Sequence, residues 1–321
     1  MRIKLLGVLV ACCISTLAAA SDDYPSRPIT LIIPFTPGGG TDIMGRMLAE
    51  KLGQSLGKPV VVSNKPGAGG TIGTELAARA EPDGYTLMIG SVSTISINPS
   101  LYKKWAINPL RDLTAVSPVA STPSLLAVPK DLPVSSVEEL IALARKNPGS
   151  INFGSAGQGT SHHLAGELFK MQAGIEATHV PYGGSAPALM GLTRGDVQVL
   201  IANAPSLLPA IDGGRIKAIA VTSLERSAQF PEYKTVSESG LPGFEVIVWY
   251  GLFAPKGTPD AIVQKLNAEV RRITALADVQ KRLVTEGAEP MNASPQEFAK
   301  RIQDDYEKWG KVVEASGAKL E

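Results

Sequence analysis

Three observations predict an α/β fold in two domains. An apolar strand, Ile29 to Phe35, runs into the loop Pro37-Gly38-Gly39-Gly40-Thr41-Asp42 and then into a helix-period segment marked by Ile43, Met44, Met47, Leu48 and Leu52. The same order recurs from Ile151 to Phe153, through Gly154-Ser155-Ala156-Gly157-Gln158-Gly159-Thr160-Ser161, to Leu164, Ala165, Leu168 and Phe169 at helical spacing. The 321 residues also exceed what one hydrophobic core usually serves.

The chain opens with Arg2 and Lys4, an apolar run from Leu5 into Leu17, and Ala18-Ala19-Ala20 ahead of the polar Ser21-Asp22-Asp23. That order predicts a secretory signal peptide over residues 1–20, cleaved after Ala20, and therefore a periplasmic mature protein. The run is too short for a membrane span and is broken by Ser15 and Thr16. Both cysteines, Cys12 and Cys13, lie inside it, so no disulfide or thiolate site is expected in the mature chain. Leu9-Val10-Ala11-Cys12 has the look of a bacterial lipobox, which makes a lipid on Cys12 a minor alternative.

Removing Arg2 and Lys4 reduces 31 Lys+Arg to 29, against 30 Asp+Glu. A near-neutral chain lacks the basic excess that nucleic acid or an anionic membrane surface would select.

After the first helix, Pro59 to Val62 reads as a strand, Asn64-Lys65-Pro66-Gly67-Ala68-Gly69-Gly70 as a second glycine-rich loop, and Ile72 to Ala80 as a helix. Glu81-Pro82-Asp83-Gly84 turns into a strand from Tyr85 to Ile89, which empties into a polar loop from Gly90 to Thr94. This β-loop-α alternation predicts a parallel sheet. A second set starts near Leu125, and Ser136 with Glu139 has the spacing of a capping box for a helix ending at Asn147-Pro148-Gly149.

Beyond the repeated strand-loop-helix come a strand from Ala177 to Val180, the loop Pro181-Tyr182-Gly183-Gly184-Ser185, and a helix with Pro187 in its first turn. Val197 to Ile201 and Ile216 to Val221 are further strands, the first leading to Asn203-Ala204-Pro205-Ser206. An apolar stretch from Glu245 to Phe253 precedes a helical tail, in which Ser294-Pro295-Gln296-Glu297 combines an N-cap, a first-turn proline and a capping box. Domain one is therefore expected over 24–124 plus 247–321 and domain two over 125–246, with crossings near Leu125 and Val246. Each strand delivers small polar residues to one sheet edge, where ligands bind in open α/β sheets.

The first loop suggests what such a ligand is. The opening N–H groups of a helix lack intrahelical partners, and the helix dipole favours negative charge there. An oxyanion, as carboxylate, phosphate or sulfate, is the natural occupant. Asp42 reads first as a first-turn helix residue and second as a ligand contact through water or an ammonium group.

Enzyme motifs are absent. Gly67-Ala68-Gly69-Gly70-Thr71-Ile72-Gly73 has Ile72 where a dinucleotide fingerprint needs glycine, Gly57-Lys58 is followed by Pro59, and Phe153 stands where a nucleophile elbow needs its first glycine. His163 and Glu167 lie one helical turn apart without a third ligand at motif spacing, and His179 sits inside an apolar strand. No metal and no cofactor are expected.

The segments Pro34 to Asp42, Asn64 to Gly70, Pro82 to Leu87, Gly154 to Leu164, His179 to Ser185, Arg215 to Thr222 and Trp249 to Pro259 together resemble the solute receptors of the tripartite tricarboxylate transporter family, also called Bug receptors. The resemblance covers essentially the whole mature chain. It implies a type II periplasmic-binding-protein fold, a cleft closing on a small organic carboxylate (mono-, di- or tricarboxylate, or aromatic acid), delivery to membrane permease subunits, and a monomer. Carried onto this sequence, the ligand-binding residues are Thr36, Gly38, Gly39, Gly40, Thr41 and Asp42 in the first loop and Ser155, Gly157, Gly159, Thr160 and Ser161 in the facing loop. Ser91, Thr94, Tyr182, Gly183, Gly184 and Ser185 line the rest, with Asn203 a further candidate. One departure is that Ile201-Ala202-Asn203 precedes Ala204-Pro205-Ser206 where the family often has Phe-Asp-Asn, so that Ala202 replaces a frequent acid. A sensory receptor, and a hydrolase using His162 or His163 as base, are the competing readings.

Overall fold

The computed structural model describes residues 24–227 and 229–317. The predicted signal peptide, its cleavage after Ala20 and Cys12 lie outside the described residues.

The first strands are β1 (Ile29–Ile33), β2 (Val60–Asn64) and β3 (Thr86–Ser91), which pair in parallel around β1. Helix α1 (Gly40–Leu56) returns the chain from β1 to β2, and α2 (Thr71–Ala78) returns it from β2 to β3. Leu31, Ile33, Met44, Leu48 and Leu52 are fully buried, so the apolar periodicities of strand and helix meet in one core.

After β3 the chain does not form the expected open polar loop. Gly90 and Ser91 are still strand, and Ser93–Ile97 wind into a π-helical turn continuous with α3 (Asn98–Leu101). Ile95 and Ile97 are buried and hold that turn against the core, which a reading based on serines and threonines does not anticipate.

A short α4 (Pro109–Asp112) then leads into β4 (Leu113–Pro129), a strand of 17 residues. Its first half carries no clear strand pattern in the sequence, because Pro118 and several serines and threonines mask it. The register shifts between Ala115 and Ser117 and between Pro118 and Ala120, so proline falls at an irregularity rather than in a regular ladder.

Beyond β4 come α5 (Val137–Lys146), β5 (Ile151–Ser155), α6 (Ser161–Ala173), β6 (Ala177–Pro181), α7 (Ser185–Arg194), β7 (Val199–Asn203), α8 (Ala204–Asp212) and β8 (Ile216–Val221). The chain returns through β9 (Ile247–Pro255) to α9 (Asp260–Thr274), α10 (Ala277–Thr285), β10 (Glu289–Pro290) and α11 (Pro295–Ser316). Ser294 and Glu297 form the expected capping box.

The strand order is β2-β1-β3-β9-β4-β7-β5-β6, with β10 and β8 also on β4. The parallel pairing expected from the first β-loop-α set holds for β1 to β3, but the whole sheet is mixed. The pairs β1–β2, β1–β3, β5–β6 and β5–β7 are parallel, whereas β9 is antiparallel to β3 and β4, and β4 is antiparallel to β7 and β8. The physical reason is that β4 carries the chain out of one half of the sheet and β9 carries it back. The first part of β4 pairs with β9 and its last residues pair with β7 and β8, so one strand belongs to both halves.

Helix α11 covers β9. Trp249 is buried, sits edge-on to Phe298 at 5.3 Å between ring centroids, and donates Nε1–H to Asp305 Oδ2 at 2.6 Å.

Candidate functional site

The loop after β1 is shaped from behind. Gly38 has a left-handed backbone (φ +85°), and its N–H donates to Asp42 Oδ2 at 3.0 Å. The same carboxylate accepts from Arg46 Nε at 2.9 Å and from Asn64 Nδ2 at 2.8 Å. Burial alone would raise the Asp42 pKa, but the hydrogen bonds from Arg46, Asn64 and Gly38 outweigh it and hold the group low. Asp42 is therefore the fastener of the loop, pointed away from any ligand.

The facing loop after β5 is built on two stacked imidazoles, His163 buried and His179 half-buried. Ser155 Oγ accepts from the Gly157 N–H at 3.1 Å and bonds His179 Nε2 at 2.7 Å. His163 Nδ1 accepts from the Gly159 N–H at 3.4 Å and its ring stacks on His179 with centroids 4.0 Å apart. Burial, with His163 and Lys170 adding repulsion, takes the His179 pKa down to about 3, so the ring is neutral. Thr160 caps α6 by accepting from the His163 N–H, and the Ser161 N–H reaches Ser93 Oγ at 2.8 Å in the other half of the sheet.

Two further helices start at this edge. Gly184 is the N-cap of α7, and a Cβ there would overlap the Thr36 hydroxyl. Asn203 is the N-cap of α8; its Nδ2 donates to Tyr250 Oη at 2.9 Å, joining β7 to β9. A Cβ on Gly40 would overlap both of these groups, so α1 starts hard against the pair.

These elements enclose a cavity of about 30 Å³, room for about two waters. Thr36, Gly39, Gly40 and Thr41 line it from the first loop, Ser91 from β3, Thr160 and Ser161 from α6, Gly184 and Ser185 from α7, and Asn203 from β7. Gly157, Tyr182 and Gly183 line instead a larger chamber of about 580 Å³ next to it, which shares the walls Phe35, Thr36 and Ala156.

Five predicted site residues line neither space. Gly38 and Asp42 form the fastening contact behind the loop. The Thr94 hydroxyl is turned back onto Ser91, bonding its N–H and its carbonyl. Ser155 is buried beneath its loop on His179, and Gly159 is pressed against Asn98 and Tyr102.

Phe35, Ser93, Ala156, His162, Val248 and Tyr250 line the inner cavity without having been expected there. Ser93 and Ala156 lay inside loops already singled out, so only their orientation was missing, whereas His162 lies in the first turn of α6 and had been named only as a base for the hydrolase reading. Val248 and Tyr250 sit in a strand whose alternate residues face opposite sides, and no motif marks which side meets the cleft.

Among the described residues no Lys or Arg side chain lines either space. Positive potential comes instead from four helices, α1, α6, α7 and α8, whose N-terminal residues meet at the inner cavity. Two of them, α1 and α7, begin at glycine with no side-chain cap, so their first N–H groups are open to an occupant. Among the described residues no group of three His, Cys, Asp or Glu side chains is gathered as a metal site.

The family model described as "Tripartite tricarboxylate transporter family receptor" matches residues 44–318. Protein BugT of Bordetella pertussis strain Tohama I is 38% identical over 319 residues, 99% of this chain and 98% of that protein. Among solved structures, R. palustris Rpa4515 with adipate superposes with a TM-score of 0.89 at 38% identity, covering 92% of this chain and 99% of that one. The periplasmic binding protein BugD gives 0.88 at 36% identity, covering 93% and 100%. MatC (Rpa3494) from Rhodopseudomonas palustris with bound malate gives 0.86 at 34%, covering 90% and 100%.

Proposed function

The chain belongs to the tripartite tricarboxylate transporter receptor family, and from that membership we propose that it captures a small carboxylate in the cavity between β1, β5, β7 and β9. It is a solute-binding receptor rather than an enzyme. The observation that carries the carboxylate reading is the meeting of uncapped helix N-termini from both halves of the sheet at a cavity that, among the described residues, no cationic side chain lines. Adipate in one neighbour and malate in another support the same ligand class.

The inner cavity has room for a carboxylate head group and little else. The rest of the ligand then extends past Phe35, Thr36 and Ala156 into the larger chamber, whose aromatic walls are Phe35, Tyr102 and Tyr182. In this reading Thr36, Gly39, Gly40, Thr41, Thr160, Ser161, Gly184 and Ser185 grip the head group through backbone amides, hydroxyls and waters.

Residues 24–124 with 247–321 form one domain and 125–246 the other, β4 and the segment entering β9 being the crossings. Closure about these crossings is what permease subunits read. The protein works in the periplasm as a monomer, released by cleavage after Ala20 or, as a minor alternative, held by a lipid on Cys12. Among the described residues no helix is long and apolar enough to cross a membrane.

The test is a thermal-shift screen of the mature chain against adipate, malate and benzoate, each beside its amide. A ligand that binds only the folded state raises the melting temperature by mass action. A rise with an acid and none with its amide supports the reading; equal rises with acid and amide, or none with any acid, overturn it.

A further inference from the structure

Two hydrogen-bond donors in the inner cavity wall have no acceptor among the described residues. Tyr250 Oη accepts from Asn203 Nδ2 at 2.9 Å. With the amide this way round, its Oδ1 accepts from Ser206 Oγ at 3.2 Å. An amide NH₂ cannot accept, so the phenolic hydrogen has to point elsewhere. Tyr250 is 1% exposed, and burial raises its pKa, so the hydrogen stays on the oxygen.

His162 follows the same logic. Its Nε2 accepts from the Asn203 N–H at 3.4 Å, which places the ring proton on Nδ1, and Nδ1 is buried without a partner. The ring stands in the same cavity wall as Tyr250 and Asn203. A buried donor left unmatched is destabilising, so an occupant that supplies acceptors gains from both. A carboxylate offers acceptors only, whereas an amide of the same shape brings an NH₂ that would face these donors.

We propose that the Tyr250 hydroxyl and the His162 imidazole contact the ligand as hydrogen-bond donors and set the preference for an ionised carboxylate over its neutral isosteres. Asn203 is their common anchor, holding Tyr250 by its side chain and His162 by its backbone N–H. The inference rests on the carboxylate reading above and adds side-chain discrimination to a grip otherwise made by loops and helix ends.

The experiment measures dissociation constants for adipate, malate and benzoate and for their amides by calorimetry, on the wild-type mature chain, Tyr250→Phe, His162→Phe and His162→Gln. If the wild type binds none of the acids, the carboxylate reading itself fails. If it binds, Tyr250→Phe and His162→Phe are each expected to lower affinity for the acid about tenfold to a hundredfold, the range for a hydrogen bond to a charged group. Affinity for the amide should change little, and His162→Gln, which keeps an N–H donor, should recover part of the acid's affinity. An unchanged acid-to-amide ratio in folded Tyr250→Phe and His162→Phe would overturn the proposal while leaving the receptor intact. Should Tyr250→Phe not fold, the two His162 variants decide, and equal acid affinity in both overturns it.

Discussion

Asn64 at the end of β2 holds Asp42 in the first turn of α1, with Nδ2 2.8 Å from Oδ1, and the same amide nitrogen donates to the Phe35 carbonyl at 3.0 Å. One side chain of the second strand therefore fixes where the first strand ends and where the first helix begins. The carboxylate side of this contact also takes the Gly38 N–H, so the amides of the loop are oriented before any ligand arrives.

Asn64→Ala should accordingly loosen the loop without touching the cavity. Removing a donor from a buried, ionised acceptor costs about 1–3 kcal/mol. Chemical denaturation should show a loss of that size, and calorimetry a weaker affinity for whichever acid the wild type binds. Unaltered affinity in a destabilised variant would restrict Asn64 to folding.

Gly40 is expected to be far less replaceable than Gly39. A Cβ at position 39 would meet Ser185 Oγ at 3.5 Å, an ordinary contact, whereas one at position 40 would overlap Asn203 and Tyr250. Gly40→Ala should abolish measurable binding while the far-ultraviolet circular dichroism stays native; Gly39→Ala should stay within about threefold of wild type, since it adds no clash. Equal affinities for the two variants would remove the close approach of α1 to Asn203 as a requirement.

Acid should destabilise the apo protein through His162. Burial lowers its pKa from 6.5 to about 4, with the Asn203 hydrogen bond opposing. Between those values the unfolded chain holds a proton that the folded chain does not, so stability falls as pH drops. This contribution is complete above pH 6.5 and lost by about pH 4, and at ~1.4 kcal/mol per unit it amounts to roughly 3 kcal/mol. Denaturation of wild type and His162→Gln between pH 7 and 4.5 checks it, because His179 titrates in both and cancels. The wild type should lose stability more steeply, and parallel curves would exonerate His162.

Trp249 and Tyr250 are neighbours with separable roles. Trp249→Phe removes the donor to Asp305 Oδ2, whose pKa burial already raises. A loss of about 1–3 kcal/mol in unfolding free energy is expected, with the dissociation constant unchanged because Trp249 lines no cavity. A weakened dissociation constant would show that β9 shifts when its α11 contact is lost.

The strands that were legible are those whose apolar residues form an unbroken local pattern. Ile216–Val221 was read to the residue, and β1, β5 and their following helices to within a turn, because each strand opens on a buried isoleucine just after a Pro- or Gly-bearing turn. The first half of β4 was not, since Pro118 contradicts a strand until the irregular register beside β9 is known. The antiparallel course of β4 and β9 was equally hidden, as strand direction is fixed by where the chain crosses between sheet halves.

For the site, the sequence by itself determined the loops: glycine, serine and threonine after apolar strands identify helix starts that present N–H groups, and ten of the expected residues line the inner cavity. That information is local, because it depends on the backbone freedom and small side chains of consecutive residues. Tertiary structure decided which way each side chain faces. Asp42, Thr94 and Ser155 turn inward to satisfy neighbouring polar groups, while Tyr250 and His162 reach the cavity from a strand and a helix of different halves. Their convergence depends on the pairing of β4 with both β7 and β9, a relation between residues far apart in the chain that no local pattern of apolar and polar residues encodes.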